Sequence, residues 1–440
     1  MARKYRMYPE AVALSVLSIH CEQSRFVWNL ALEQWNEWHP GRRSHAPNYV
    51  LQAAQLTEAR EASQWLAAGS TVVQQGALRD FDQAKRNFYA RSHRRPRWRS
   101  AKAGRQGFLI RDAKVRPDPN PRYAQTLVPK AGWVRFRLSR AVPTTLTSAR
   151  VTLDAAGYWH IAFTASAETT VDLGRPKAPV VGVDRGVVVP AALSDGRLLC
   201  KDFHHPPVGP DAAVKKARRE RKLVREQRRR LRLQQQLARQ KAARRAEGRT
   251  GPSHRETRTK LALNRIMARE AHRRRDWVEQ TSHLLVQSAH LVALERLDVK
   301  AMTRTARGTI AHPGTNVRAK AGLNRGILAS GWGQLAARTR TKAEQSTWCR
   351  YVEVPAYYTS LTCPACGYVD IGNRESQAVF CCRECGHAQH ADVVGAVNVR
   401  QRGIELAAAA GSAVAARRDL KSGSRKREPD PRARTTAPAA

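Results

Sequence analysis

Acidic side chains are scarce in this chain. Its 440 residues carry 36 Asp and Glu against 78 Lys and Arg, a formal net charge of +42. Self-repulsion on that scale opposes compaction unless a polyanion neutralises it, so nucleic acid is the expected partner. Long apolar runs are missing too. None reaches the roughly 18 residues that span a bilayer, and the alanine-rich stretch 404–416 is too short. A membrane span is thereby excluded, and a basic membrane-surface protein is the competing reading of the charge. The opening Met1-Ala2-Arg3-Lys4-Tyr5-Arg6 lacks the apolar core of a secretory signal, which points to the cytoplasm. Cysteine is sparse, and Cys21, Cys200, Cys349 and Cys381 are scattered. That usage excludes a disulfide scaffold and suits a reducing interior.

The other four cysteines are concentrated late in the chain, as Cys363-x2-Cys366 and Cys382-x2-Cys385. A C-x2-C turn holds two thiolates at the bite of tetrahedral zinc, and two such turns close one structural site. Chance clustering is the alternative. Asp392 follows shortly afterwards, so a carboxylate stands beside the metal knuckle.

Residues 1 to about 110 read mostly as helix, with Val27, Leu30, Ala31, Trp35 and Trp38 at helical spacing and a second helix over 72–89. The run that follows contains Arg94, Arg95, Arg97, Trp98 and Arg99, a mixture suited to phosphate contact and base stacking. A solvated basic loop is the bland alternative. Pro117, Pro119 and Pro121 mark a break, after which 133–138 alternates as a half-buried strand does. Segments 151–154 and 158–163 read as a hairpin around Ala155-Ala156-Gly157. A small β module results.

From residue 180 an apolar strand carries Asp184, and 187–193 reads as the next strand before the turn Ser194-Asp195-Gly196. A long basic helix over 211–245 follows, holding Arg218, Arg219, Arg225, Arg228 and Arg229 as candidate phosphate contacts. Ala217, Val224, Leu231 and Ala238 recur every seventh residue along it. They predict a narrow buried seam against a second helix that carries Leu263, Ile266, Met267, Trp277, Val278, Leu284 and Leu285. A coiled-coil dimer is the other reading of that pattern. His290 to Glu295 is another buried strand ending in an acid, and Asp392 opens a terminal helix.

Asp184, Glu295 and Asp392 thus stand at the ends of separate elements. In-line hydrolysis of a phosphodiester needs charge neutralised on both the attacking and the leaving oxygen. Two divalent ions about 4 Å apart achieve this when held by carboxylates converging from different elements. Hard oxygen ligands and retained waters suit Mg²⁺.

The segments 181–186 with 193–196 resemble the first RuvC motif of TnpB proteins, the RNA-guided nucleases of bacterial insertion sequences, and 292–297 resembles the second. Segments 359–367, 380–387 and 391–398 resemble the zinc ribbon and third motif, in that order. Weaker similarity runs through 324–326, 331–333 and 342–344, and at the front through Tyr8-Pro9 and 25–29. The resemblance implies an α/β chain with all-β and helical parts. An RNase H-like RuvC domain (176–360, closing with a helix over 391–405) would carry an inserted zinc ribbon (361–390). Before it would lie a wedge-like β module (1–10 and 111–175) holding a helical recognition lobe (11–110). A basic tail, disordered from about residue 417, would occupy 406–440. The implied cofactors are structural zinc at Cys363, Cys366, Cys382 and Cys385, magnesium at Asp184, Glu295 and Asp392, and a guide RNA. The implied partners are that RNA and double-stranded target DNA, with oligomeric state left open. The implied activity is endonucleolytic, and no acid is missing, unlike the nuclease-dead relatives that act as repressors. A compact type V CRISPR effector shares the chemistry, and a strand-transferring DNA transposase is a further alternative. Arg185 departs from the family, standing where many relatives carry a small or apolar residue.

Overall fold

The strand β1 (Ala2–Tyr8) turns Tyr5 and Met7 inward and their neighbours outward, the period of two that a half-buried strand requires. This computed structural model describes residues 2–39, 41, 46–101, 106–165, 179–199 and 211–423. The chain divides into two units, Met1–Glu168 with Glu226–Ala268, and Thr169–Arg225 with Arg269–Ala440.

In the first unit β1 leads into α1 (Ala11–Glu37), α2 (Tyr49–Ala62), α3 (Gln64–Ala68) and α4 (Thr71–Tyr89). Six strands follow: β2 (Gln106–Arg111), β3 (Val115–Pro117), β4 (Tyr123–Val128), β5 (Gly132–Arg137), β6 (Leu146–Leu153) and β7 (Trp159–Ala165). All seven form one sheet in the order β2-β6-β7-β1-β5-β4-β3. The strand β1 joins its halves, pairing antiparallel with β7 through Ala2–Arg6 and with β5 through Met7 and Tyr8. Tyr5, Phe108, Phe136, Ile161 and Phe163 fill the sheet's core with Leu17 of α1. The helices bury Val27, Trp28, Trp35, Leu56 and Phe81 in a second cluster. Arg150 of β6 grips both oxygens of Asp80 of α4, at 2.7 and 2.8 Å. The expected hairpin is present, its turn fixed by Asp154 Oδ1, which accepts from the N–H groups of Ala156 and Tyr158 at 2.9 Å each.

The second unit opens with β8 (Val180–Asp184), β9 (Ala191–Leu193) and β10 (Leu198–Leu199). Two long helices follow, α5 (Ala212–Ala246) and α6 (His254–Ser288), whose outer parts belong to the first unit. Then come β11 (Leu291–Arg296), α7 (Val299–Met302), α8 (Val317–Ser330), α9 (Trp332–Glu344) and β12 (Arg350–Pro355). A small hairpin, β13 (Val379–Cys381) and β14 (Ala388–His390), precedes α10 (Ala391–Gly423). The main sheet runs β10-β9-β8-β11-β12. Its first three strands form an antiparallel meander, whereas β8, β11 and β12 are parallel, which requires the long helical crossovers between them. The buried runs Val181–Val183 and Leu291–Leu294 pack with Trp277, Leu285 and Leu335.

Four expectations are corrected. The heptad seam of α5 is not buried: Val224 is 45% and Leu231 54% exposed, and Met267 of α6 is also exposed. Leu237, Leu263 and Ile266 are buried instead, because so few apolar side chains on α5 cannot outweigh the hydration of its arginines. Residues 187–190 bend rather than pair, since Pro190 supplies no N–H to a ladder, so β9 begins only at Ala191. The helical segment ends earlier than residue 110, because β2 already starts at Gln106, and Trp38 lies just past the end of α1. Finally, α10 runs beyond residue 405 to Gly423, carried by strongly helix-forming alanines at 407–410. Residues 424–440 of the expected tail, and Cys200, lie outside the described residues.

The strand β8 and helix α10 touch closely at Gly182, where an added Cβ would sit 2.1 Å from the Ala396 carbonyl oxygen and 2.4 Å from the Arg400 nitrogen. Backbone atoms cannot swing aside as side chains can. Gly182→Ala is therefore expected to cost about 3 kcal/mol, seen as a clear drop in thermal midpoint. Gly196→Ala, in the open β9–β10 turn, should cost less. An unchanged midpoint for Gly182→Ala would contradict this packing.

Candidate active site

Parallel pairing explains why two distant acids become neighbours. The β8–β11 register matches Val183 with Leu294, so the next residues, Asp184 and Glu295, emerge side by side at the carboxyl end of the sheet. The Glu295 charge acts on Asp184. Asp392 arrives from the first turn of α10, where the helix N-terminus favours a carboxylate, and its charge acts on Asp184. Glu295 and Asp392 are buried. Loss of water by burial, then the charges of Glu295 and Asp392, push the Asp184 carboxyl well above the usual carboxylate range. Three acids predicted from motif position are thus brought together. They form a more open group than the cysteine cluster described below.

Several residues hold this cluster; Thr359, Gly395 and Asn398 lie within motif segments without a role of their own being evident there, and Arg374 lies outside them. Thr359 is buried and donates its hydroxyl to Glu295 Oε1 at 2.7 Å. Arg374 pairs with Asp392 Oδ1 at 3.1 Å and also donates to the Gln377 carbonyl. Gly395 lets α10 lie against Asp184, since a Cβ there would meet its Oδ2 at 3.0 Å. Asn398 ties the same helix to the loop before the cysteines, donating to the carbonyls of Thr359 and Thr362 at 2.7 and 2.8 Å. The unusual Arg185 is buried beneath the site, its guanidinium donating to the carbonyl oxygens of Trp332 (3.0 Å) and Glu295. It braces the backbone and does not occupy the carboxylate face.

The four cysteines form a tight cluster. The sulfurs of Cys363, Cys366, Cys382 and Cys385 all lie within 4.8 Å of one another, with Cys363–Cys385 and Cys366–Cys382 each at 3.6 Å. Tetrahedral zinc with bonds of 2.3 Å requires an edge of about 3.8 Å, so the donor set fits zinc. Each knuckle closes identically: Gly367 N–H bonds to Cys363 O, and Gly386 N–H to Cys382 O, both at 3.0 Å. Both glycines adopt positive φ, at 78° and 71°. Burial opposes ionisation of Cys382, yet the N–H groups of Cys385 and Glu384 bring its thiol down to about 7. Cys381 stands outside the cluster, paired with Ala388 in the β13–β14 ladder.

The candidate nucleic-acid residues divide. Arg97 and Trp98 are exposed and line a cavity of about 490 Å³ with Arg25, Arg99 and Arg150. Arg94 is exposed, whereas Arg95 stacks 4.7 Å from the Trp35 ring and bonds to Asn36. Arg99 is engaged structurally, 3.5 Å from the Trp28 ring and 4.0 Å from Asp80. Arg218, Arg219, Arg225, Arg228 and Arg229 lie exposed along α5. A second basic cavity, of about 480 Å³ at the α5–α6 turn, is lined by Arg239, Arg244, Arg249 and Arg255. Its arginines blend into a uniformly basic stretch, where nothing in the spacing singles them out.

Two outcomes are expected. The purified chain should carry one zinc, and Cys385→Ser should release it and lower the thermal midpoint; full retention by mass spectrometric metal analysis would contradict the four-thiolate site. Asp184 holds its proton more tightly in the fold than in the unfolded chain. Its contribution is therefore fully favourable below the ordinary carboxylate pKa of about 4 and is lost as pH rises towards the raised folded value. In metal-free protein, Asp184→Asn should raise the melting temperature by a few degrees at about pH 8, and the gap should close as pH falls towards the ordinary carboxylate range. A gap that does not change with pH would contradict the crowding of these acids.

Residues 332–399 match the family described as Cas12f1-like, TNB domain, and residues 1–43 the one described as Helix-turn-helix domain. In the structure the described part of that second segment is β1 and one unbroken helix, α1. The Escherichia coli (strain K12) protein InsQ, provisionally named an RNA-guided DNA endonuclease, is 31% identical over 401 residues, 90% of each chain. A Streptomyces pristinaespiralis protein given a similar provisional name is 27% identical over 92% of this chain and 90% of its own. Among solved structures, Cas12f1 bound to sgRNA and target DNA aligns over 88% of this chain and 82% of that one, at 13% identity and a TM-score of 0.46, a loose likeness. With the InsQ identity sustained across nine-tenths of both chains, and the expected motifs present in order, the chain belongs to the TnpB family.

Proposed function

We propose that this chain is an RNA-guided DNA endonuclease of a transposable element, cutting target DNA by metal-dependent phosphodiester hydrolysis in the cytoplasm. The observation that carries the reading is the convergence of Asp184, Glu295 and Asp392 at one end of a mixed sheet, in a TnpB-family chain. An antiparallel meander continued by two parallel strands and packed by α10 supports an RNase H-like RuvC domain for the second unit. The seven-stranded sheet and four helices of the first unit support the wedge and recognition roles.

Asp184, Glu295 and Asp392 would hold magnesium, which when bound neutralises phosphate charge and acidifies a bound water. The chain's own residues set the geometry around that chemistry. Thr359 fixes one oxygen of Glu295, leaving the other to face substrate. Arg374 neutralises Asp392 in the free protein and stands ready to meet a phosphate oxygen once the acids are otherwise compensated. The arginines of α5 and the two basic cavities would grip the backbones of guide RNA and target DNA. Sequence would be read by base pairing and shape by the protein. The net charge of +42 accords with a long RNA as resident counterion.

Asp184→Ala is the decisive variant. Cutting of a guide-matched plasmid in Mg²⁺ should fall by about a thousandfold or more, with RNA and target binding unchanged. Undiminished cutting would sink the assignment. Joined rather than cleaved products from the wild type would favour strand transfer.

A further inference from the structure

Two aromatic side chains stand uncovered next to the acid cluster. Tyr357 and Tyr358 are 65% and 60% exposed in the loop between β12 and the first cysteine knuckle. The very next residue is Thr359, whose hydroxyl is bonded to Glu295. Consecutive Cα atoms lie about 3.8 Å apart, so the backbone that carries both rings runs directly into the residue that holds that carboxylate. An exposed tyrosine is unremarkable alone. These two, however, are fixed in place.

Arg402 of α10 donates to the carbonyl oxygens of Pro355 and Tyr357 at 2.9 and 2.7 Å, and its guanidinium lies 4.8 Å from the Tyr357 ring centre. Tyr358 is held at φ 56°, a left-handed conformation that a side chain disfavours. Its carbonyl accepts from the N–H groups of Leu361 and Thr362 and from the Thr362 hydroxyl, at 3.1, 3.0 and 2.8 Å. The rings meet edge to face, with centres 6.0 Å apart and planes at 77°. The rings are therefore not stacked on each other, and both keep most of their surface exposed although Arg402 lies over Tyr357.

Anchored, exposed aromatic rings beside the Arg402 guanidinium suit unpaired bases. Every base has a π-face, so stacking tolerates any sequence, whereas bases within a duplex are already stacked on their neighbours. We propose that Tyr357 and Tyr358 form a stacking platform for a single DNA strand beside the scissile phosphate, acting as positioning residues that present an unwound strand to Asp184, Glu295 and Asp392. This rests on the nuclease reading of those three acids.

The test uses the full-length chain, purified with the RNA that accompanies it, and single-stranded DNA oligonucleotides bearing 2-aminopurine at successive positions. An Asp184→Ala background removes cutting. Stacking should quench the fluorophore at one or two adjacent positions, and adding Tyr357→Leu with Tyr358→Leu should abolish the quenching. The corresponding double Phe variant should keep it. Leucine preserves apolar bulk while removing the π-face, and zinc content and melting temperature confirm that each variant is folded. With Asp184 intact, the Leu pair should raise KM for single-stranded DNA about tenfold, leave kcat nearly unchanged, and be rescued by Phe. Unchanged quenching and KM in the folded Leu pair would overturn the platform even while Asp184→Ala abolishes cutting. Conversely, persistent cutting by Asp184→Ala would defeat the nuclease reading, and the fluorescence would still report stacking.

Discussion

Like charges forced together at the end of a sheet are the constraint around which the second unit is built. Asp184, Glu295 and Asp392 repel one another in a place partly removed from water, and nothing about them favours their meeting. The backbone imposes it. Parallel pairing of β8 and β11 fixes two of the acids, and glycine at 182 and 395 lets α10 close in with the third. Hydrogen bonding then trims the remaining cost: Thr359 on Glu295, Arg374 on Asp392, and the guanidinium of Arg185 under the backbone.

The cysteine ribbon acquires its purpose from the same constraint. Arg374 and Asn373 lie between its two knuckles. Asn373 bonds to the Leu361 carbonyl at 3.0 Å and accepts from the Arg383 N–H at 3.0 Å. Buried Cys363 and Cys382 pack with Phe380 and with Val394 of α10. A chain too short here to form its own core is clamped by thiolates, and the clamp places an arginine against a carboxylate. The ribbon thus sets electrostatics at the acids as well as its own local fold.

Charge governs the remainder of the molecule. Most arginines of α5 stay in water, and the heptad residues Val224 and Leu231 stay exposed with them, so the heptad pattern produced no buried seam. Half-buried Arg99 lies against the Trp28 ring and Asp80, whereas fully buried Arg185 donates to backbone carbonyls. The same residue type therefore serves as structural clamp and as free cation within a few positions of the loop 94–99.

The order of motifs, the three acids that meet at the sheet end, the four cysteines that cluster and the β6–β7 hairpin were legible in the linear sequence, because each depends on local chemistry: a knuckle's bite, a turn's Asp and Gly, an apolar run ending in an acid. The family resemblance was legible for the same reason. What the sequence could not convey was which distant groups meet. Thr359, Arg374, Gly395 and the Tyr357–Tyr358 pair gain their roles only from the crossover connections and from α10 packing onto the sheet. Nor could periodicity foresee that α5 would leave Val224 and Leu231 in solvent, since burial depends on what a neighbouring element can cover, and one chain's spacing carries no record of that.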